Sequence, residues 1–374
     1  MQASPEAVGT ALRDWLTSRW PDRRGLEVKD VRLPSQGFSN ETWLLDLEWE
    51  RDGEFKRMPA VLRLQPSELA LFPSYDLSLQ YRCMERLAGS DIPVPRLFGC
   101  ALTDDAAGNP FGRPFYVMEH LSGRTPGENP PYHLAGWLHD LSAARRRAVW
   151  LNGVEMMARV NRLDCAAYDF SFLDHRTSGE TPLDHQLRES RAFLVWAESL
   201  AEPYPLLRAA LDWLEVNRPQ GGPIGLCWGD PKLGNCLFDS DDDRCTGLLD
   251  WESAHLGNPV DDLAWWIMLD RSLCDGYGFR RLEGLPSRAE TIAHWERCSG
   301  LSARDLPYYE VFCAFRFALI MARIGCMFMA RGLVPAGQRM DLENGGSALL
   351  RLLAAEQGLP FASPFPITAG AMTA

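Results

Sequence analysis

The sequence predicts an α+β protein of two lobes, a β-rich first third followed by a mainly helical remainder. Three observations carry this prediction. Apolar and polar residues alternate over Leu26 to Leu33, Glu41 to Trp49 and around Ala60 to Leu64, with tight connections between them, as in an antiparallel meander. From Tyr132 onward, apolar residues recur at helical spacing over long segments. The two regimes meet at Met118 to Gly123, where a strand pattern runs into Ser122-Gly123. The expected division is an N-terminal lobe over residues 1–121 and a C-terminal lobe over residues 122–374.

Each element follows from local pattern. A leading helix is expected over Ala7 to Arg19, closed by Pro21, and a second over Asp76 to Leu87, stopped by Pro93 and Pro95. Arg96 to Leu102 and Pro114 to Leu121 read as a further strand pair. Helices are expected within Tyr132 to Leu163, then over Leu183 to Leu200 and Leu206 to Val216. Pro223 to Trp228 returns to a strand, and Cys236 to Phe238 with Thr246 to Leu249 flank an Asp-rich turn read as solvated. Leu256-Gly257-Asn258-Pro259 is expected to open a helix through Asp262 to Trp266, with Asp261 and Asp262 as first-turn carboxylates, and Pro286 to Gln357 is helical.

Composition narrows the function classes. A formal net charge of -12 over 374 residues, with 38 Lys and Arg against 50 Asp and Glu, argues against nucleic-acid binding, which needs clustered cations. The most apolar segment, Tyr308 to Met329, is interrupted by Glu310, Arg316 and Arg323 and reads as a buried amphipathic helix. The N-terminus shows no basic segment followed by an apolar one, and the ten cysteines form no Cys-x-x-Cys pair. A cytoplasmic location with free thiols and no membrane partner is the expectation.

The chemistry concentrates in Cys227-Trp228-Gly229-Asp230-Pro231-Lys232-Leu233-Gly234-Asn235 and in Gly247-Leu248-Leu249-Asp250-Trp251-Glu252. Phosphoryl transfer needs a carboxylate to receive a hydroxyl proton, a cation near the moving group, and an amide and a carboxylate to hold magnesium. Asp230, Lys232, Asn235 and Asp250 supply those groups in that order. Upstream, Gly37 and Ser39 lie in a loop where backbone N–H groups and a hydroxyl can meet phosphates. Arg63 is the cation of an apolar strand, in a sequence whose only lysines are Lys29, Lys56 and Lys232. Gln80 sits one turn into the following helix, where it can accept a hydrogen bond from Arg63 but brings no charge.

Taken together, these motifs resemble the aminoglycoside phosphotransferase and choline kinase family, whose fold is protein-kinase-like. The match runs from about Gln36 to Trp266, and its most specific part is Gly229-Asp230 with Asn235, Asp250-Trp251-Glu252, and Gly257-Asn258-Pro259 with Asp262-Leu263-Ala264. The closer likeness is to a bacterial branch akin to the kinase-like domains fused to some acyl-CoA dehydrogenases. The resemblance implies a bilobal protein-kinase-like enzyme that moves the γ-phosphoryl group of ATP, with GTP as the other candidate donor, to a small-molecule hydroxyl. An aminoglycoside or a hydroxylated acyl compound is the candidate acceptor.

By that resemblance Asp230 is the catalytic base, Lys232 assists at the transferred group, and Asn235 and Asp250 hold Mg2+. Gly37, Ser39, Asn40, Arg63 and Gln80 would then face the nucleotide phosphates, and Met118, Glu119, His120 and Leu121 would form the adenine-contacting linker. Trp228 stands where the family usually has His, Gln36 where it has a loop glycine, Arg63 where it has a strand lysine, and Gln80 where it has a helix glutamate. Those departures motivate a second reading, a nucleotide-binding pseudokinase or sensor without phosphotransfer.

Overall fold

The computed structural model describes residues 4–34, 41–66, 71–103 and 108–361. It divides into two compact units, one comprising Met1–Ser122 with Gly247–Glu252, the other Gly123–Thr246 with Ser253–Ala374.

In the first unit, helix α1 (Pro5–Arg19) begins at Ser4, whose hydroxyl accepts from Ala7 N–H, satisfying one orphan donor of the first turn. Strands β1 (Arg24–Arg32), β2 (Glu41–Arg51) and β3 (Glu54–Leu64) form the expected antiparallel meander. Helix α2 (Leu77–Leu87), capped by Asp76, precedes β4 (Leu97–Ala101) and β5 (Phe115–Glu119), and the sheet order is β1-β2-β3-β5-β4. Period-two alternation sends Trp43, Leu45 and Leu47, Ala60, Leu62 and Leu64, and Phe115 and Val117 into one core. The α1 side chains Val8, Leu12, Trp15 and Leu16 complete that core, with Trp15 edge-on to Phe115 at 4.9 Å. Full burial of each large apolar side chain contributes roughly 1.5–3 kcal/mol. The same alternation turns Arg63, and Tyr116 paired opposite it in register, to the other face of the sheet.

The second unit is mainly helical: α3 (Trp137–Asp140), α4 (Ala143–Asn161), α5 (Pro182–Ser199), α6 (Pro205–Val216), α7 (Val260–Ser272), α8 (Arg288–Ser299), α9 (Leu306–Ala330) and α10 (Gly345–Glu356). Short strands interrupt it. β6 (Gly225–Cys227) pairs antiparallel with β9 (His255–Gly257), and β7 (Cys236–Phe238) forms a hairpin with β8 (Cys245–Leu248), within which the chain passes to the first unit. The β9 strand occupies residues that local pattern assigns to a helix start; α7 begins three residues after Gly257, behind Pro259.

Helix α9 is long and apolar enough, by length and composition, to cross a membrane. Its residues Tyr309, Val311, Phe312, Phe315 and Leu319 are nevertheless buried inside the unit, together with Glu310, whose carboxylate pairs with Arg288 at 2.7 Å. It is therefore a core helix, as its interrupting charges imply. One expectation fails nearby. Asp243, read as part of a solvated turn, is 3% exposed and takes hydrogen bonds from Arg145 at 2.7 and 2.8 Å and from Arg124 at 3.3 Å. Those partners lie about a hundred residues away, so no local pattern announces them.

Candidate active site

The Asp230 loop is built on the end of β6. Gly229 has φ of 90°, and a Cβ there would stand 2.0 Å from the Ser253 carbonyl oxygen, so only glycine fits the turn into Asp230. Helix α7 grips the same turn from below: the Asp262 carboxylate accepts from Trp228 N–H at 2.7 Å and Gly229 N–H at 2.9 Å. Asn161 adds a third donor to Asp262 at 2.7 Å and is itself fixed by the Trp295 indole at 2.9 Å. Burial pushes the Asp262 carboxyl up to about 6, with the two backbone donors opposing that shift. Trp228, in place of the family histidine, is fully buried and packs as core.

A 3-10 turn over Leu233–Asn235 brings the Asn235 amide back onto Asp230, donating at 2.9 Å to Oδ2 and 3.0 Å to its carbonyl. The Nδ2 group is thus engaged twice by one residue. Lys232 Nζ lies 3.6 Å from Asp230 Oδ2 and 3.2 Å from Glu128 Oε2. Three of the sequence-identified residues, Asp230, Lys232 and Asn235, therefore form one cluster. Two members were not foreseen. Glu128, a hundred residues upstream, carries no spacing signal; Trp265, whose indole N–H donates to Asp230 Oδ1 at 2.7 Å, is legible only as the residue one turn beyond Asp262.

The first unit holds the second cluster. Arg63 donates from one nitrogen to Gln80 Oε1 and Asp250 Oδ1, each at 3.1 Å. Gln80, 2% exposed, also accepts from the Tyr116 hydroxyl at 2.8 Å and donates to Glu252 at 3.2 Å. Burial disfavours the Arg63 charge, but Asp250, with Tyr116 and Glu252, holds its pKa above the ordinary arginine value. Asp250 adopts a left-handed φ of 63°, which Asp tolerates better than most residues. Leu248 N–H bonds to the Pro93 carbonyl at 2.8 Å and ties its segment to this unit.

Met118 and Glu119 lie in β5, followed by His120 and Leu121. The N–H groups of Glu119 and His120 are committed to the Arg96 and Pro59 carbonyls at 2.8 and 3.1 Å. Gly37, Ser39 and Asn40 lie outside the described residues. Among the described residues, no group of three or more His, Cys, Asp or Glu side chains is disposed to hold a metal. Asn235 belongs to the second unit and Asp250 to the first.

A five-stranded antiparallel sheet unit, a helical unit, and a carboxylate fixed on a strand-to-turn loop define a phosphotransferase of the kinase-like class. The chain belongs to the phosphotransferase enzyme family, whose model matches residues 30–301. It is 27% identical over 320 residues to the IBR3 protein of Arabidopsis thaliana, an acyl-CoA dehydrogenase by name, covering 81% of this chain and 37% of that protein. The chain thus spans little more than a third of that relative's length. Among solved structures, a Ralstonia eutropha protein provisionally named an aminoglycoside phosphotransferase superposes with a TM-score of 0.66 at 22% identity, covering 92% of this chain and 98% of that one. The GDP complex of an aminoglycoside 2'-phosphotransferase-IIIa variant superposes at 0.55 and 15% identity, covering 94% and 97%. These likenesses establish the protein-kinase-like α+β fold expected from the motifs.

Proposed function

We propose that the chain transfers the γ-phosphoryl group of ATP to a hydroxyl of a small molecule. The observation that carries this reading is the fixed Asp230 carboxylate: Trp265 holds one oxygen, Asn235 the other, and the Gly229 turn presents the side chain about one-fifth exposed. Asp230 receives the acceptor proton as the hydroxyl oxygen attacks the γ-phosphorus and ADP departs. Lys232 neutralises charge on the moving group, and Glu128 keeps its ammonium near Asp230. Arg63, held by Gln80, faces the phosphates, and Met118 to Leu121 border the adenine. Mg2+, held by Asn235 and Asp250, would neutralise the donor phosphates.

GTP is the alternative donor, and the GDP complex of a structural relative keeps it in view. For the acceptor, the half-buried face of α9 offers Phe317, Ile320, Met321 and Ile324, and Phe317 packs edge-on to Trp265 at 6.3 Å. That apolar face favours a hydroxylated acyl compound over a polycationic aminoglycoside, and the name of the Arabidopsis relative supports the same choice. The experiment is ADP release from MgATP in the presence of hydroxyacyl and aminoglycoside pools; stimulation by the first pool is expected, and none by either contradicts the proposal.

The sensor reading draws on one observation, that Asp250 is already paired with Arg63. Thermal shift separates the two readings. Stabilisation by ATP that requires Mg2+ supports the kinase, and ATP binding indifferent to Mg2+ supports the sensor.

A further inference from the structure

We infer that Trp265 is a positioning residue for Asp230, an inference that rests on the phosphotransferase reading above. Its indole N–H donates to Asp230 Oδ1 at 2.7 Å, while Oδ2 takes the Asn235 amide at 2.9 Å. A carboxylate held by one donor still turns about its Cβ–Cγ bond; held at both oxygens, its plane is fixed.

The donor is itself immobilised. Trp265 is 7% exposed and lies edge-on to Phe317 at an interplanar angle of 89°. The Arg316 guanidinium lies 5.1 Å from the centre of its ring. Arg316 is anchored by Asp261 at 2.5 Å, one residue before Asp262 on α7. Asp262 and Trp265 are three apart, so they project from neighbouring positions of one helix face. Helix α7 thus holds the catalytic loop at two points. Asp262 fixes the backbone of Trp228 and Gly229, and Trp265 fixes the side chain of Asp230. A tryptophan in an apolar helix is ordinarily core packing; here its polar edge is directed at the proposed base.

Trp265→Phe keeps a ring between α7 and α9 and removes the donor. In protein labelled with 15N at indole nitrogens, the Trp265 resonance is the one missing from this variant. It should move more than any of the other twelve indoles when Asp230→Asn is introduced. With MgATP alone and water as acceptor, Trp265→Phe should lower kcat for ADP formation roughly 10- to 100-fold while KM for ATP stays within about twofold. A melting curve matching the wild type would separate this from lost packing. An indole resonance indifferent to Asp230→Asn, or a kcat equal to wild type, overturns the inference. Wild-type protein that forms no ADP counts against the phosphotransferase reading, and the indole resonance then decides the contact by itself.

Discussion

Arg63 reaches Asp250 and Gln80 from a single guanidinium nitrogen, at 3.1 Å to each, so the charge that Gln80 lacks is supplied from residue 250. The strand cation is neutralised by the same carboxylate that is proposed to hold magnesium, and Gln80 acts as a neutral spacer between Tyr116, Arg63 and Glu252.

Gln80→Glu is therefore expected to harm the protein, although it restores the residue usual in the family. The Nε2 donor to Glu252 is lost and two carboxylates face each other close to Asp250. Urea unfolding should show a loss of roughly 1–3 kcal/mol. A gain in stability would contradict the spacer role.

Two glycines of the Asp230 loop should respond differently to alanine. At Gly229 a Cβ meets the backbone of Ser253 at 2.0 Å, which cannot swing aside. At Gly234 it meets the end of the Glu128 side chain at 2.4 Å, which can. Gly229→Ala should cost about 3 kcal/mol or more, and Gly234→Ala about 1 kcal/mol or less. Denaturant midpoints for the two variants check this order directly.

Asp262 gives a pH signature. Its carboxyl is raised to about 6 in the fold from 3.8, so the folded state retains a proton that the unfolded chain releases. The stability this contributes is fully present below 3.8 and is lost as pH rises to about 6, by at most about 3 kcal/mol. Asp262→Asn removes that titration. It also places an amide against three N–H donors and should be destabilising throughout. The wild type's margin over this variant should shrink between pH 4 and 6 and remain level above; a margin that grows over that interval would refute the assignment.

How far the site was legible depended on how local each contact is. Asp230 and Asn235 meet through one 3-10 turn, so an offset of five residues sufficed. The Arg63–Gln80 contact followed from a strand alternation and the next helix. Glu128, Trp265 and the partners of Asp243 lie far from their contacts in sequence and are brought there by tertiary packing, which leaves no periodic trace. The β9 strand was hidden for a related reason: three residues cannot display an alternation, and their pairing with β6 is set by burial at Gly225 and Gly257. The mainly helical second unit, by contrast, was plain from apolar spacing alone.

Transfer itself is the decisive observable. Wild-type protein and Asp230→Ala should be incubated with MgATP and a pool of hydroxylated acyl compounds, and the products weighed by mass spectrometry. An acceptor should gain one phosphate with the wild type and none with the folded variant. Equal phosphate gain with both proteins would contradict the proposed function.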